Sequence, residues 1–120
     1  MAVEVMGNTI RVPQGDTGVV KFVPEGSEIG ADDRALFTIA SRNGTAILRK
    51  VIAPQENGEF HLPFVYEDTA RMKPDTYEWS LRVVRNGTFD ANGKIVSVDS
   101  VHTPVMLGKM TVLPVAGGAR

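Results

Sequence analysis

The chain has 120 residues, 13 Lys plus Arg against 14 Asp plus Glu, a formal charge of −1 and no cysteine. That length suits a single domain spanning residues 1–120 and able to bury a core, and a hydrophobic fraction of 42% with 22% charged residues is ordinary for a packed globular protein. The near balance of charge gives no field to draw nucleic acid or an acidic membrane surface, and the absence of cysteine excludes disulfides, thiolate metal sites and cysteine nucleophiles.

The start, Met1-Ala2-Val3-Glu4-Val5, lacks the basic, then long apolar, pattern of a signal peptide, and no later run has the length of a membrane span. Synthesis and folding in the cytoplasm, with no membrane partner, is the expectation. Along the chain, apolar residues recur mainly at period two, in short runs closed by Gly, Asn, Asp or Pro, which predicts strands throughout. Short strands are expected at Val3 to Val5 and Thr9 to Val12. Gly18 to Val23 follows, with Val20 and Phe22 on one face and Lys21 on the other.

Ala35 to Ser41 sets Ala35, Phe37 and Ile39 against Thr38, and Thr45 to Ile52 is a further candidate. In Glu59 to Val65, Phe60, Leu62 and Phe64 point inward and Glu59 and His61 outward, while Pro63 marks an edge or a strand end. Glu67 to Lys73 has room for one helical turn, with Asp68 or Thr69 as its cap and Pro74 limiting its extension. The clearest alternation runs from Thr76 to Val84, with Tyr77, Trp79, Leu81 and Val83 inward and Thr76, Glu78, Ser80 and Arg82 outward. Ile95 to Val98 and Val105 to Leu113 complete the set. The density of strands predicts an all-β sandwich of about seven to nine short strands.

The connections agree. Asn43-Gly44 and Asn86-Gly87 are each expected to turn a tight hairpin, because Asn-Gly tolerates positive φ. Pro13 to Thr17, Pro24 to Ser27 and Asp90 to Gly93 are loop signals, and Ala116 to Arg120 reads as a loose tail.

Nothing in the residue pattern assigns a catalytic, cofactor-binding or metal site, and the binding residues stay unassigned. His61 and His102 are the two histidines. Asp99-Ser100-Val101-His102 holds the residue types of a hydrolase triad, but contiguity does not supply the mutual orientation a triad needs, and a polar loop before Pro104 is the better reading. Asp90-Ala91-Asn92-Gly93 resembles the start of a calcium loop without its later oxygen ligands, so a turn is expected. Asn43-Gly44-Thr45 and Asn86-Gly87-Thr88 match the glycosylation sequon but are explained by turn geometry. Arg42, Arg49, Lys50, Arg82 and Arg85 have the means to gather on one basic surface, but acids interleave with them along the chain and a solvated sheet face is the better reading.

Asp68 to Trp79 joins a short turn to a Pro-containing corner and then to a strand beginning with Tyr77. A Tyr so placed packs its ring into the core and bonds a nearby backbone group with its hydroxyl, and the segment resembles the corner of fibronectin type III and related immunoglobulin-like domains, with Asp75 in place of the customary Gly. The fold expected is therefore an immunoglobulin-like Greek-key sandwich. A narrower likeness rests on Ile10-Arg11-Val12-Pro13-Gln14-Gly15-Asp16-Thr17, the strands around Phe22 and Phe37-Thr38-Ile39, then Asp68-Thr69 and Pro74-Asp75-Thr76-Tyr77-Glu78-Trp79-Ser80-Leu81-Arg82. This order is similar to the N-terminal domain of phage baseplate upper proteins and related tail proteins.

The resemblance implies a non-catalytic virion-assembly module, often oligomeric, that contacts other phage tail or baseplate proteins and resides in the virion tail after synthesis in the bacterial host cytoplasm. No catalytic residue and no cofactor carries over. Two other readings stand beside it: a carbohydrate-binding or adhesive module, which requires exposed aromatics such as a solvent-facing Trp79, and a hydrolase or its accessory domain, which requires His102 beside an acid and a nucleophile.

Overall fold

A computed structural model describes residues 3–23, 29–98, 100–101 and 106–115. Eleven strands and one helical turn follow in order: β1 (Glu4–Met6), β2 (Thr9–Pro13), β3 (Gly18–Phe22), β4 (Asp33–Ala40), β5 (Ala46–Ile52), β6 (Phe60–Phe64), α1 (Tyr66–Thr69), β7 (Thr76–Arg85), β8 (Thr88–Phe89), β9 (Ile95–Ser97), β10 (Ser100–Val101) and β11 (Met106–Leu113). The expected loop at Pro24 to Ser27, the Asp99 and His102 positions and the tail from Ala116 lie outside the described residues. The strands outnumber the expected seven to nine because β8 and β10, two residues each, are too short to carry a period.

The larger sheet has the order β1-β2-β11-β7-β4-β5, with β10 extending the β11 side of β7 at Arg85 and Val84. Its pairs are antiparallel except β2 and β11, which run parallel from Thr9↔Lys109 to Pro13↔Leu113. Strands β3 and β6 form a second, two-stranded sheet, and β8 and β9 a separate hairpin. The chain passes from β3 to the larger sheet for β4 and β5, returns for β6, and crosses again for β7, the connectivity of an immunoglobulin-like sandwich.

Period-two patterning drives this arrangement. On β7, Tyr77, Trp79, Leu81 and Val83 are buried while Glu78 and Arg82 are exposed. They meet Ala35, Phe37 and Ile39 from β4, Ile10 and Val12 from β2, Met110 and Val112 from β11, and Val20, Phe22, Phe60, Leu62 and Phe64 from the smaller sheet. Rings link the two layers, with Phe22 5.4 Å from Trp79 between centroids and Phe37 set edge-on to Phe64 at 6.0 Å. A two-stranded sheet is marginal alone, and its apolar face gains stability by covering the larger one at roughly 25 cal/mol per Å² buried.

Two strands depart from simple alternation. Leu36 and Val84 lie on the outer face of the larger sheet, yet they are buried. Gly87 packs against Val84 and Phe89, so the segment after β7 covers Val84. Asn86-Gly87 is therefore a corner and not the expected hairpin turn: Asn86 alone has positive φ, 51°, and β8 pairs with β9 instead of β7.

Three loops share a different, repeated device, two of them closing the β4–β5 and β8–β9 hairpins and one carrying the chain from β5 to β6 in the other sheet. Ser41 to Thr45, Gln55 to Glu59 and Asp90 to Lys94 each place Asn-Gly at the third and fourth positions. In each, the first N–H donates to the fifth carbonyl and the glycine N–H returns to the first carbonyl. Gly44, Gly58 and Gly93 have φ of 86°, 82° and 78°. Only the glycine is left-handed, so Asn43-Gly44 turns its hairpin by a three-residue loop instead of the two-residue turn in which both central residues have positive φ.

Candidate functional site

The tyrosine corner is formed. Tyr77 donates its hydroxyl to the Lys73 carbonyl at 2.6 Å, and burial pushes its phenol pKa up, with Asp75 adding to the effect. Asp75 accepts the Thr76 N–H at 2.7 Å, pairs with Arg42 at 3.2 Å and offers its carbonyl to the Val112 N–H at 2.9 Å. The corner thus ties β7 to β11 and to the β4–β5 turn.

The helical turn begins one residue before the expected span. Of the two expected caps Asp68 serves, from inside the turn, by accepting the Val65 N–H at 2.8 Å, while Thr69 is fully buried and accepts the Gly15 N–H at 2.8 Å instead. Gln14 donates its side-chain amide to the Met72 carbonyl at 2.8 Å. Together these bonds clamp the β2–β3 loop onto the β6–β7 connection.

The five basic residues do not gather. Arg42 pairs with Asp75, and Arg85 pairs with the buried Asp33 at 3.1 Å. Lys50 reaches from β5 across to the smaller sheet, where it meets Asp68 at 2.5 Å and the Pro63 carbonyl at 2.7 Å above the Phe64 ring. It closes the side of the sandwich where the two sheets meet without a shared ladder. Arg49 and Arg82 remain on the outer face, where Arg49 lines an open groove of about 590 Å³ with Ile47, Val51 and the β8–β9 tip.

At that tip Asp90 holds the Asn92 and Lys94 N–H groups, each at 2.9 Å. The bond from Lys94 is the main cause holding the carboxyl below the usual aspartate range, with smaller contributions from Asn92, Lys94 and Arg49. Asp90 Oδ1 thus closes the turn expected for Asp90-Ala91-Asn92-Gly93. Among the described residues no group of three His, Cys, Asp or Glu converges for a metal ion.

On the smaller sheet, His61 points outward as expected and meets Glu59 at 3.1 Å, with Lys21 opposite in the ladder. The His61 bond is the largest cause lowering the Glu59 pKa, followed by Asn57, with Lys21 assisting. The same face exposes Val19, 61% accessible, directly across from Pro63, and Val65 and Tyr66 follow at its end. Among the described residues β3 pairs with β6 alone, so no further strand flanks this sheet, and on β6 the Pro63 carbonyl accepts the Lys50 ammonium. Trp79, by contrast, is 4% exposed.

Sequence reasoning missed the Lys50–Asp68 and Asp33–Arg85 pairs, since each joins distant segments and no local spacing announces it. Compared with known proteins, the chain matches no family model, no curated protein and no solved structure.

Proposed function

We propose that this domain is a non-catalytic assembly module of a phage or prophage tail or baseplate, working by protein–protein contact in the virion. The observation that carries the assembly reading is the smaller sheet: two strands, with no further strand paired to either among the described residues, and Val19 and Pro63 paired on its solvent face. Unpaired edge N–H and C=O groups are a template for a further strand, and exposed apolar pairs supply the surface that association buries. The tail assignment rests on the likeness of the Ile10 to Thr17 and Pro74 to Arg82 segments to baseplate upper proteins. The buried Trp79 counts against a carbohydrate-binding platform, which needs an aromatic face in solvent.

Light scattering over a concentration series, alone and with candidate tail proteins, tests this. A defined homo- or hetero-oligomer that Val19→Lys disrupts without unfolding is the expected result. A strict monomer that binds none of them overturns the proposal.

A further inference from the structure

The seven-residue strand β5 ends the larger sheet, with β4 as its one ladder partner among the described residues. The tip of the β8–β9 hairpin stands beside it, so close that a Cβ on Gly93 would lie 3.1 Å from Arg49 Cβ and 3.8 Å from the Arg49 carbonyl oxygen. Strand and tip bound the open groove of about 590 Å³. We propose that this groove is a peptide-docking site, in which β5 takes on an extended segment of a partner protein as an additional strand, the segment carrying a carboxylate between two apolar side chains. The site belongs to the larger sheet and stands independently of the smaller-sheet surface proposed for assembly.

Two bonds fix which backbone groups β5 offers. Val112 donates its N–H to the Asp75 carbonyl at 2.9 Å, one step beyond the Thr76↔Thr111 pair of β7 and β11, and Asn86 donates to the Asp32 carbonyl at 3.1 Å, one step beyond the Asp33↔Arg85 pair of β4 and β7. In an antiparallel ladder the backbone groups of successive residues point to alternate sides. Tyr77, Trp79 and Leu81 therefore bond toward β11, while Glu78, Ser80 and Arg82 bond toward β4. Across β4 the same alternation turns Ala35, Phe37 and Ile39 toward their β5 partners Ile52, Lys50 and Leu48. The N–H and C=O groups of Arg49 and Val51 are left pointing away from the sheet, without a partner among the described residues. Such groups are what an incoming strand bonds.

The side chains set the chemistry of the occupant. Ile47 and Val51 are 44% and 40% exposed, and between them Arg49 is exposed with no ion pair among the described residues. Asp90, the acid at the hairpin tip, uses Oδ1 to accept the Asn92 and Lys94 N–H groups. A carboxylate directly across from Arg49 supplies the missing charge, and apolar side chains two residues to either side of it meet Ile47 and Val51. The occupant's alternate residues face the inner side, which Lys50 closes by reaching Asp68 and the Pro63 carbonyl, so they are small. A second copy of β5 fits badly, because antiparallel pairing about Arg49 sets two guanidinium groups opposite one another, and like charges so placed are destabilising.

The test titrates the capped peptide Ser-Val-Thr-Glu-Thr-Val-Ser into the isotope-labelled full chain and follows backbone amides by NMR. Saturable shifts should centre on Arg49, Val51 and the 90–93 tip, and the Arg49 and Val51 amides should gain protection from hydrogen exchange. Replacing the peptide's Glu by Lys should weaken binding at least about tenfold, Arg49→Glu in the protein should do the same to the original peptide, and combining the two changes should restore affinity. Methylating the backbone nitrogen of the peptide's Glu keeps the charge, removes the donor aimed at the Arg49 carbonyl and should abolish binding. Absence of saturable shifts up to the peptide's solubility limit, shifts centred on Val19 and His61 of the smaller sheet, or binding indifferent to both the charge exchange and the methylation would each overturn the proposal.

Discussion

Trp79 donates its indole N–H to the backbone carbonyl of Asn8 at 3.0 Å, and it reaches that oxygen through the space that Gly108 leaves open between them. A Cβ at Gly108 would stand 1.9 Å from the Asn8 oxygen and 2.6 Å from the indole nitrogen. The glycine is required by this close approach in the middle of β11, opposite Trp79 in the ladder. Gly108→Ala should therefore destabilise the fold by about 3 kcal/mol or more, since both obstructing groups are fixed. Urea denaturation followed by tryptophan fluorescence measures it, and a loss under about 1 kcal/mol would mean the strand yields more easily than the geometry implies.

Tyr77→Phe removes a single hydroxyl from the corner. The Lys73 carbonyl loses its 2.6 Å partner, and the expected cost is about 1 to 2 kcal/mol, with the ring still packed. The raised Tyr77 pKa gives a pH signature. A group whose folded pKa lies above its unfolded one stabilises fully below the unfolded value, near 10 for a phenol, and loses that contribution as pH rises through the folded value. Stability of the parent protein should fall in that alkaline range, and that component of the fall should be absent in Tyr77→Phe.

Thr69→Val keeps the shape of a fully buried side chain and deletes the oxygen that accepts the Gly15 N–H. A buried donor left without a partner costs about 1 to 3 kcal/mol. Hydrogen exchange at Gly15 should accelerate in this variant, and Thr69→Ser should restore protection. Unchanged exchange at Gly15 would show that the clamp relies on Gln14 instead.

At low pH the relevant groups are Glu78 and Glu59. Glu78 is lowered first by its bond to Lys109, 2.7 Å away, and Glu59 first by its bond to His61. Depressed carboxyl pKa values contribute stability that is present above the ordinary glutamate value and lost as pH falls through the folded values. Both groups are at the surface, so salt should weaken the effect. Carboxyl carbon shifts in an NMR titration should give midpoints below that ordinary value, and Lys109→Met should return Glu78 toward it.

The sequence was most informative where one local rule sufficed. Alternation over Thr76 to Val84 identified both faces of β7, and the Tyr77 corner followed from a residue's place relative to a turn. Asn86-Gly87 illustrates the limit: the dipeptide permits positive φ, but whether it turns a hairpin depends on which strand lies alongside β7, and β4, β11 and β10 take those places. Asn57-Gly58, which does turn its loop, escaped notice because only β6 follows it at once while β5 ends several residues earlier. Val84 reads as outward by period and is buried by a roof that period cannot reveal. The surface proposed for assembly was legible only in part: Pro63 marked an edge, but the exposure of Val19 and the restriction of the second sheet to two strands are properties of the whole topology.

The parallel pairing of β2 with β11 has a mechanical meaning. Tension applied to the chain before Thr9 and after Leu113 pulls the two strands along their common axis in opposite directions, so all five paired positions are loaded together in shear. An antiparallel pair pulled from one end would instead open like a zipper, one bond after another. A domain joined this way transmits force through its ladder as a single element, and its lifetime under load is set by the unfolding rate of the whole sheet.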